Sequence, residues 1–247
     1  MELTLKRLLV CGDSYLTSTR KQWENLKGAD WPEFTVAEHQ DLSNLSLDTQ
    51  QEIQNIITDN HNPSCTEIIA QRRNWEHITL ALGGDSNIGI RMQIDTAVKE
   101  YNPDYVIIMG TEPGRFSIRH HETDEMIPSA TMLNNPVYKK LIKFYVSNIS
   151  DFEYDNKKSY YILSSGIAFL ERIGIPCLFI PGPSVIRDMD WSWIQCLYPD
   201  HFPQLRESNE DTNHLNHSLL NKYFNHNTWE YNLKVAESAL TLIEDWN

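Results

Sequence analysis

Two short stretches near opposite ends of the 247-residue chain carry side chains suited to nucleophilic catalysis. Gly12-Asp13-Ser14 places a serine hydroxyl directly after a short apolar run, and Asp211-Thr212-Asn213-His214 places a carboxylate three residues before an imidazole. A serine is a weak nucleophile until a base takes its proton. An imidazole can be that base near neutral pH, and a carboxylate beside it fixes the tautomer and stabilises the imidazolium that forms. Asp211 is the only Asp in the chain followed by His at this spacing. Each stretch also has an ordinary reading: a turn with a helix-capping serine, and an N-cap aspartate with a solvated histidine. Gly84-Asp85-Ser86 is a second copy of the tripeptide, so the tripeptide alone discriminates little.

These residues need a scaffold, and the hydrophobic pattern supplies one. Leu8–Cys11, Ile78–Leu82, Tyr105–Met109 and Pro176–Ile180 are short continuous apolar runs, the pattern of strands buried on both faces. Phe34–Ala37 could add a short strand. Apolar residues at helical spacing predict helices over 19–27, after the Ser46–Asp48 cap, through Ile90, Ile94 and Val98, over Pro136–Ile149 and Lys158–Ile173, after His214, and from Trp229 to Trp246. The acidic stretch Asp151–Asp155 reads as a break between two of them, and 111–135 reads as one long irregular loop. Strands alternating with helices predict an α/β fold with a parallel sheet, in one domain over 1–247 with loop insertions at about 38–74, 111–135 and 182–210. In such sheets ligands sit beyond the carboxyl ends of the strands. Three of these strands end at glycine turns (Gly12, Gly83-Gly84 and Gly110), which should converge on one crevice.

The ordered set of Gly-Asp-Ser after the first strand, Gly-Asp-Ser-Asn after a second, a glycine turn after a third and Asp-x-x-His near the end resembles the SGNH (GDSL-like) hydrolase superfamily. The resemblance implies a flavodoxin-like three-layer α/β/α sandwich with a mostly parallel five-stranded sheet, of which the hydrophobic pattern supports four strands. It implies an ester hydrolase of the esterase, lipase or carbohydrate O-deacetylase type, needing no cofactor and no metal. Ser14 matches the nucleophile, with its N–H as one oxyanion donor; Gly84 matches the second donor; Asp211 and His214 match the orienting acid and general base. The third block departs from the family's Gly-x-Asn-Asp. Here the chain has Gly110-Thr111-Glu112-Pro113-Gly114-Arg115, with Glu112 at the position of the donor Asn. An ionised carboxylate cannot donate a hydrogen bond and would repel an oxyanion. Either Glu112 turns away while Thr111 or Arg115 donates, or Glu112 is protonated, or the site is catalytically degenerate. Divergent SGNH-like chains of large phages are similar in carrying Thr-x-Pro-x-Arg at this block, which favours Arg115 near the site over an ordinary surface arginine. The degenerate case leaves a second function open, a binding or virion structural component of the same fold.

Other constellations weigh less. His120-His121-Glu122 and His214-x-x-His217 suggest a metal, but adjacent histidines point apart in extended chain and no Cys joins them at zinc spacing. Gly83–Gly89 lacks the G-x-G-x-x-G spacing and the following acidic residue of a dinucleotide turn. Trp191, Trp193 and Tyr198 could stack on a sugar ring or simply pack. Cys11 reads as a small buried residue.

Composition bounds the remainder. With 21 Lys and Arg against 34 Asp and Glu, the net charge of −13 disfavours nucleic-acid and anionic-lipid partners and leaves a small-molecule or carbohydrate ester. Four scattered cysteines point to reduced thiols. The short apolar run at 8–11 predicts no signal peptide, and no run reaches membrane-span length, so the expected location is cytoplasmic, or virion-associated if the chain is phage-encoded.

Overall fold

The protein's structure, a computed structural model, describes residues 5–12, 35–36, 40–41, 63–82, 85–119, 126–128, 136–181, 189–197 and 229–246. In chain order the elements are β1 (Arg7–Cys11), β2 (Thr35–Val36), β3 (Gln40–Asp41), α1 (Cys65–Arg73), β4 (Glu76–Thr79) and α2 (Asn87–Thr96), which continues as a π-helical turn over Ala97–Tyr101. Then come β5 (Tyr105–Met109), β6 (Ser117–Arg119), β7 (Met126–Pro128), α3 (Pro136–Asn148), α4 (Phe152–Arg172), β8 (Cys177–Ile180) and α5 (Trp229–Leu242).

Four strands form one parallel sheet in the order β4-β1-β5-β8. The continuous apolar runs have a direct cause, because both sheet faces are covered. Leu8, Val10, Tyr105, Ile107, Met109, Leu178 and Ile180 face a core closed by Ile68, Ile69 and Ala70 of α1 and Val235, Ala236 and Ala239 of α5. Leu9, Cys11, Val106, Ile108 and Phe179 face the opposite core, closed by Ile90 and Ile94 of α2 and Leu163, Ile167 and Leu170 of α4. Successive strand residues alternate between the two cores, so a polar residue on either face would be buried. The result is the α/β/α sandwich with a parallel sheet expected from the sequence; the described residues supply four of the five strands that the resemblance implied.

Gly166 lets α4 lie close on α2, since a Cβ there would stand 2.7 Å from Ile94 Cδ1 and 2.8 Å from Arg91 Cδ. On the other face α1 starts at a capping box, Ser64 with Glu67, and ends at Asn74 in the left-handed conformation. Arg73 then donates to the Ile243 carbonyl at 2.7 Å, and the rings of Trp75, Tyr105 and Trp246 stack, which fixes the end of the chain beneath the sheet.

Several elements depart from the sequence expectation. The strand expected at Ile78–Leu82 runs over Glu76–Thr79. Among the described residues it is an edge strand, so polar Glu76 and His77 are tolerated, and its pairing with β1 persists through bonds from Leu80 N–H to the Val10 carbonyl and from Leu82 N–H to the Gly12 carbonyl. The helix expected from Lys158 begins at Phe152, because Asp151 caps it and accepts from Tyr154 N–H at 2.8 Å. The acidic stretch is therefore a helix start, not a break. The long loop at 111–135 contains the antiparallel pair β6–β7. The short strand near Thr35 pairs with β3. The helices expected at 19–27, after Asp48 and after His214 lie outside the described residues.

Candidate active site

The sheet order places the candidate site before any side chain is considered. From β1 the chain passes to β4 on one side and then to β5 on the other. The carboxyl ends of β1 and β5 are thus the topological switch point, where α/β sheets open a crevice. Gly12 directly follows β1 and Gly110 directly follows β5, so two of the three glycine turns expected from the sequence stand at that edge; Gly83-Gly84 lies outside the described residues.

Two carboxamides of α2 hold the edge together. Gln93 Oε1 accepts from Gly12 N–H at 2.8 Å, and Gln93 Nε2 donates to the Gly12 carbonyl at 3.1 Å and to Asp85 Oδ2 at 2.8 Å. Both amide hydrogens of Gln93 are therefore used. Asn87 makes the matching pair with β5: its Oδ1 accepts from Thr111 N–H at 2.9 Å and its Nδ2 donates to the Thr111 carbonyl at 3.0 Å. One helix thus fixes the backbone where β1 and β5 leave the sheet, and it begins directly after the loop that follows β4.

Asp85 is the hub of that loop. It is buried, and its carboxylate accepts from Ser86 N–H at 2.8 Å, Ser117 Oγ at 3.0 Å and Gln93 Nε2. Burial raises its pKa above the usual carboxylate value; the three hydrogen bonds and the nearby Arg115 charge oppose that rise without cancelling it. The Ser117 proton goes to Asp85, so the 2.8 Å contact between Ser86 Oγ and Ser117 Oγ has Ser86 as donor. Ser86 also caps α2, accepting from Gly89 N–H at 3.3 Å. Gly89 must be glycine for a steric reason: a Cβ would stand 1.9 Å from Asp85 Oδ1.

The third block folds back on this hub. Thr111 is buried with its backbone held by Asn87, whereas Glu112 is exposed. Glu112, Pro113, Gly114 and Arg115 form a turn closed by Arg115 N–H to the Glu112 carbonyl at 3.0 Å. Proline at its second position suits such a turn. The turn brings the half-buried Arg115 near enough to Asp85 for its charge to act on that carboxylate.

Ser14, Gly84, Asp211 and His214 lie outside the described residues, as do His120, His121, His217 and Tyr198. Among the described residues no group of acidic, histidine or cysteine side chains could hold a metal ion, and no helix is long and apolar enough to cross a membrane. Trp191 is core, fully buried against Phe179 and Tyr160, while Trp193 is at the surface. All four cysteines are free. Burial pushes the Cys65 thiol up to about 12 and those of Cys11 and Cys177 well above their usual value, so these three are packing residues. Sequence reasoning missed Asn87, Gln93 and Ser117. The one available signal was Gln93, a polar residue set between Ile90 and Ile94 in the buried stripe of α2.

No family model and no curated protein matches the chain. Solved structures align at low identity. A G-D-S-L family protein from Desulfitobacterium hafniense DCB-2 shares 12% identity over 96% of this chain and 99% of its own, with a TM-score of 0.47. The esterase EstA from Pseudoalteromonas sp. shares 10% over 98% of each chain, with a TM-score of 0.43. AlinE4, an SGNH-hydrolase family esterase, shares 14% over 73% of this chain and 60% of its own, with a TM-score of 0.32.

Proposed function

We propose that the protein is a serine hydrolase of the SGNH type acting on a small-molecule or carbohydrate ester. Ser14 Oγ attacks the ester carbonyl while His214, oriented by Asp211, takes its proton. The N–H groups of Ser14 and Gly84 hold the oxyanion. His214 then protonates the leaving alcohol, and water repeats the cycle on the acyl-enzyme. No cofactor enters. Arg115 is the third oxyanion donor, in place of the Asn that the chain lacks, because Thr111 N–H is bound to Asn87 and Glu112 is exposed.

One observation carries this reading. The Gly-Asp-Ser sequence begins at Gly12, the residue directly after the inner strand β1, at the switch point, and Gly12 is hydrogen-bonded to α2, the helix that opens three residues after Gly84. Hydrolysis of a panel of short-chain p-nitrophenyl esters by the wild type and by Ser14→Ala tests it. Turnover abolished by Ser14→Ala is the expected result; equal turnover by both proteins overturns the reading.

Glu112 favours a second reading, a non-catalytic binding or virion structural component of the same fold. Absence of turnover across the panel, with a ligand bound at the strand ends, would support it.

A further inference from the structure

We propose that Gln93 is a positioning residue for the nucleophile, acting through Gly12 and set in its working orientation by Asp85. The inference rests on the Ser14 reading above and adds a residue that the resemblance does not supply.

A glutamine amide can be turned either way in a symmetric site, and its two faces are chemically opposite. Here the surroundings admit one orientation. Gly12 offers a donor and an acceptor, and Asp85 offers only acceptors, so Nε2 must lie between the Gly12 carbonyl and Asp85 Oδ2 while Oε1 faces Gly12 N–H. The Gly12 carbonyl also accepts from Leu82 N–H at 3.1 Å, so both of its lone pairs are engaged. The peptide bond leading into Asp13 is therefore held from two sides. Ser14 lies two residues beyond that peptide, and Asp85 follows Gly84 directly. The network thus ties the backbone carrying the nucleophile to the backbone carrying the second oxyanion donor, and their separation determines whether both N–H groups can reach one oxygen. Ser117 and Ser86 N–H hold Asp85 in place, and the space left by Gly89 admits it.

The bond polarities make this testable by exchange. Gln93→Met keeps length and loses all three bonds. Gln93→Glu places carboxylate oxygens against the Gly12 carbonyl and Asp85, a repulsive arrangement. In the double variant Gln93→Glu/Asp85→Asn, the new Asn can still accept from Ser86 N–H and Ser117, and its amide can donate to the new Glu, whose other oxygen accepts from Gly12 N–H. The double variant removes the repulsion at Asp85 but not the one at the Gly12 carbonyl, so it should recover part of what the single Gln93→Glu loses.

The readout is the second-order rate of labelling by a fluorophosphonate, with the adduct mapped to Ser14, alongside kcat and KM on a p-nitrophenyl ester. Displacing a reacting group slightly costs rate more than binding, so Gln93→Met and Gln93→Glu should each slow labelling and kcat by about tenfold or more with KM little changed. The double variant should regain part of the loss seen in Gln93→Glu. Labelling of Gln93→Met at the wild-type rate overturns the positioning role while leaving the Ser14 reading in place. Failure of the wild type to label at Ser14 overturns the reading and this inference with it. If Gln93→Met does not fold, comparison of the double variant with Gln93→Glu decides: recovery supports the role, and equal rates overturn it.

Discussion

Asn87 and Thr111 exchange two hydrogen bonds, the Thr111 N–H donating to Asn87 Oδ1 at 2.9 Å and Asn87 Nδ2 donating to the Thr111 carbonyl at 3.0 Å. Both residues are buried. The pair closes the end of β5 against the start of α2 and removes one backbone N–H from the set that could serve an oxyanion. Replacing Asn87 by Ala would remove both bonds from a buried donor and a buried acceptor. The expected cost is roughly 2–4 kcal/mol at about 1–3 kcal/mol per group less what solvent recovers. Urea unfolding of Asn87→Ala measures it, and an unchanged midpoint would show that the pair contributes nothing.

Arg115 is then a cation beside the strand-end hub, its charge acting on buried Asp85. If it supplies the third oxyanion donor, Arg115→Ala lowers kcat by about 10²-fold with a smaller change in KM. Steady-state kinetics on one ester decide this. A kcat within the error of the wild type would assign Arg115 to the surface.

Gly89 gives an independent handle on Asp85. In Gly89→Ala the new methyl would overlap the carboxylate, which three hydrogen bonds hold where it is. Alanine ordinarily stabilises a helix interior relative to glycine by roughly 1 kcal/mol. Here it should destabilise, and the sign of the shift in thermal midpoint is the test.

Away from the site, Asp155 supplies a pH dependence of stability. Burial, the largest influence, pushes its pKa up, but hydrogen bonds from Lys158, Ser150 and Tyr145 and the Lys158 charge outweigh it and hold the carboxyl below its usual value. A depressed folded pKa means a contribution that is fully present above the ordinary carboxylate range and lost as pH falls through the folded value. Asp155→Ala should therefore cost roughly 2–3 kcal/mol at neutral pH, given the partial exposure of Lys158, and much less in strong acid. Urea unfolding of wild type and variant across pH 3–7, roughly the range spanned by carboxylate titration, measures the difference; a gap independent of pH contradicts it.

The parts of the fold legible in the sequence are those where burial alone selects the residues. β1 and β5 sit inside the sheet, so Leu8–Cys11 and Tyr105–Met109 had to be apolar throughout, and the glycines that follow them mark the carboxyl edge of the sheet. β4 was misplaced because an edge strand can begin at Glu76 and His77, and α4 because Asp151 serves as a cap while looking like a linker. β6 and β7 escaped notice because three-residue strands show no periodicity. Ser14, Asp211 and His214 stand out in the sequence by type and spacing and lie outside the described residues. Gln93 shows in the sequence only as a polar residue within the buried stripe of α2; its bonds reach a residue 81 positions away, which no local pattern encodes.

The most direct measurement is mass-spectrometric mapping of the adduct formed by a fluorophosphonate on the wild-type protein, with His214→Ala treated alongside. A single adduct on Ser14, formed rapidly in the wild type and suppressed in His214→Ala, is the predicted result. An unmodified Ser14 after prolonged exposure, or equal labelling in both proteins, would contradict catalysis by this serine and histidine.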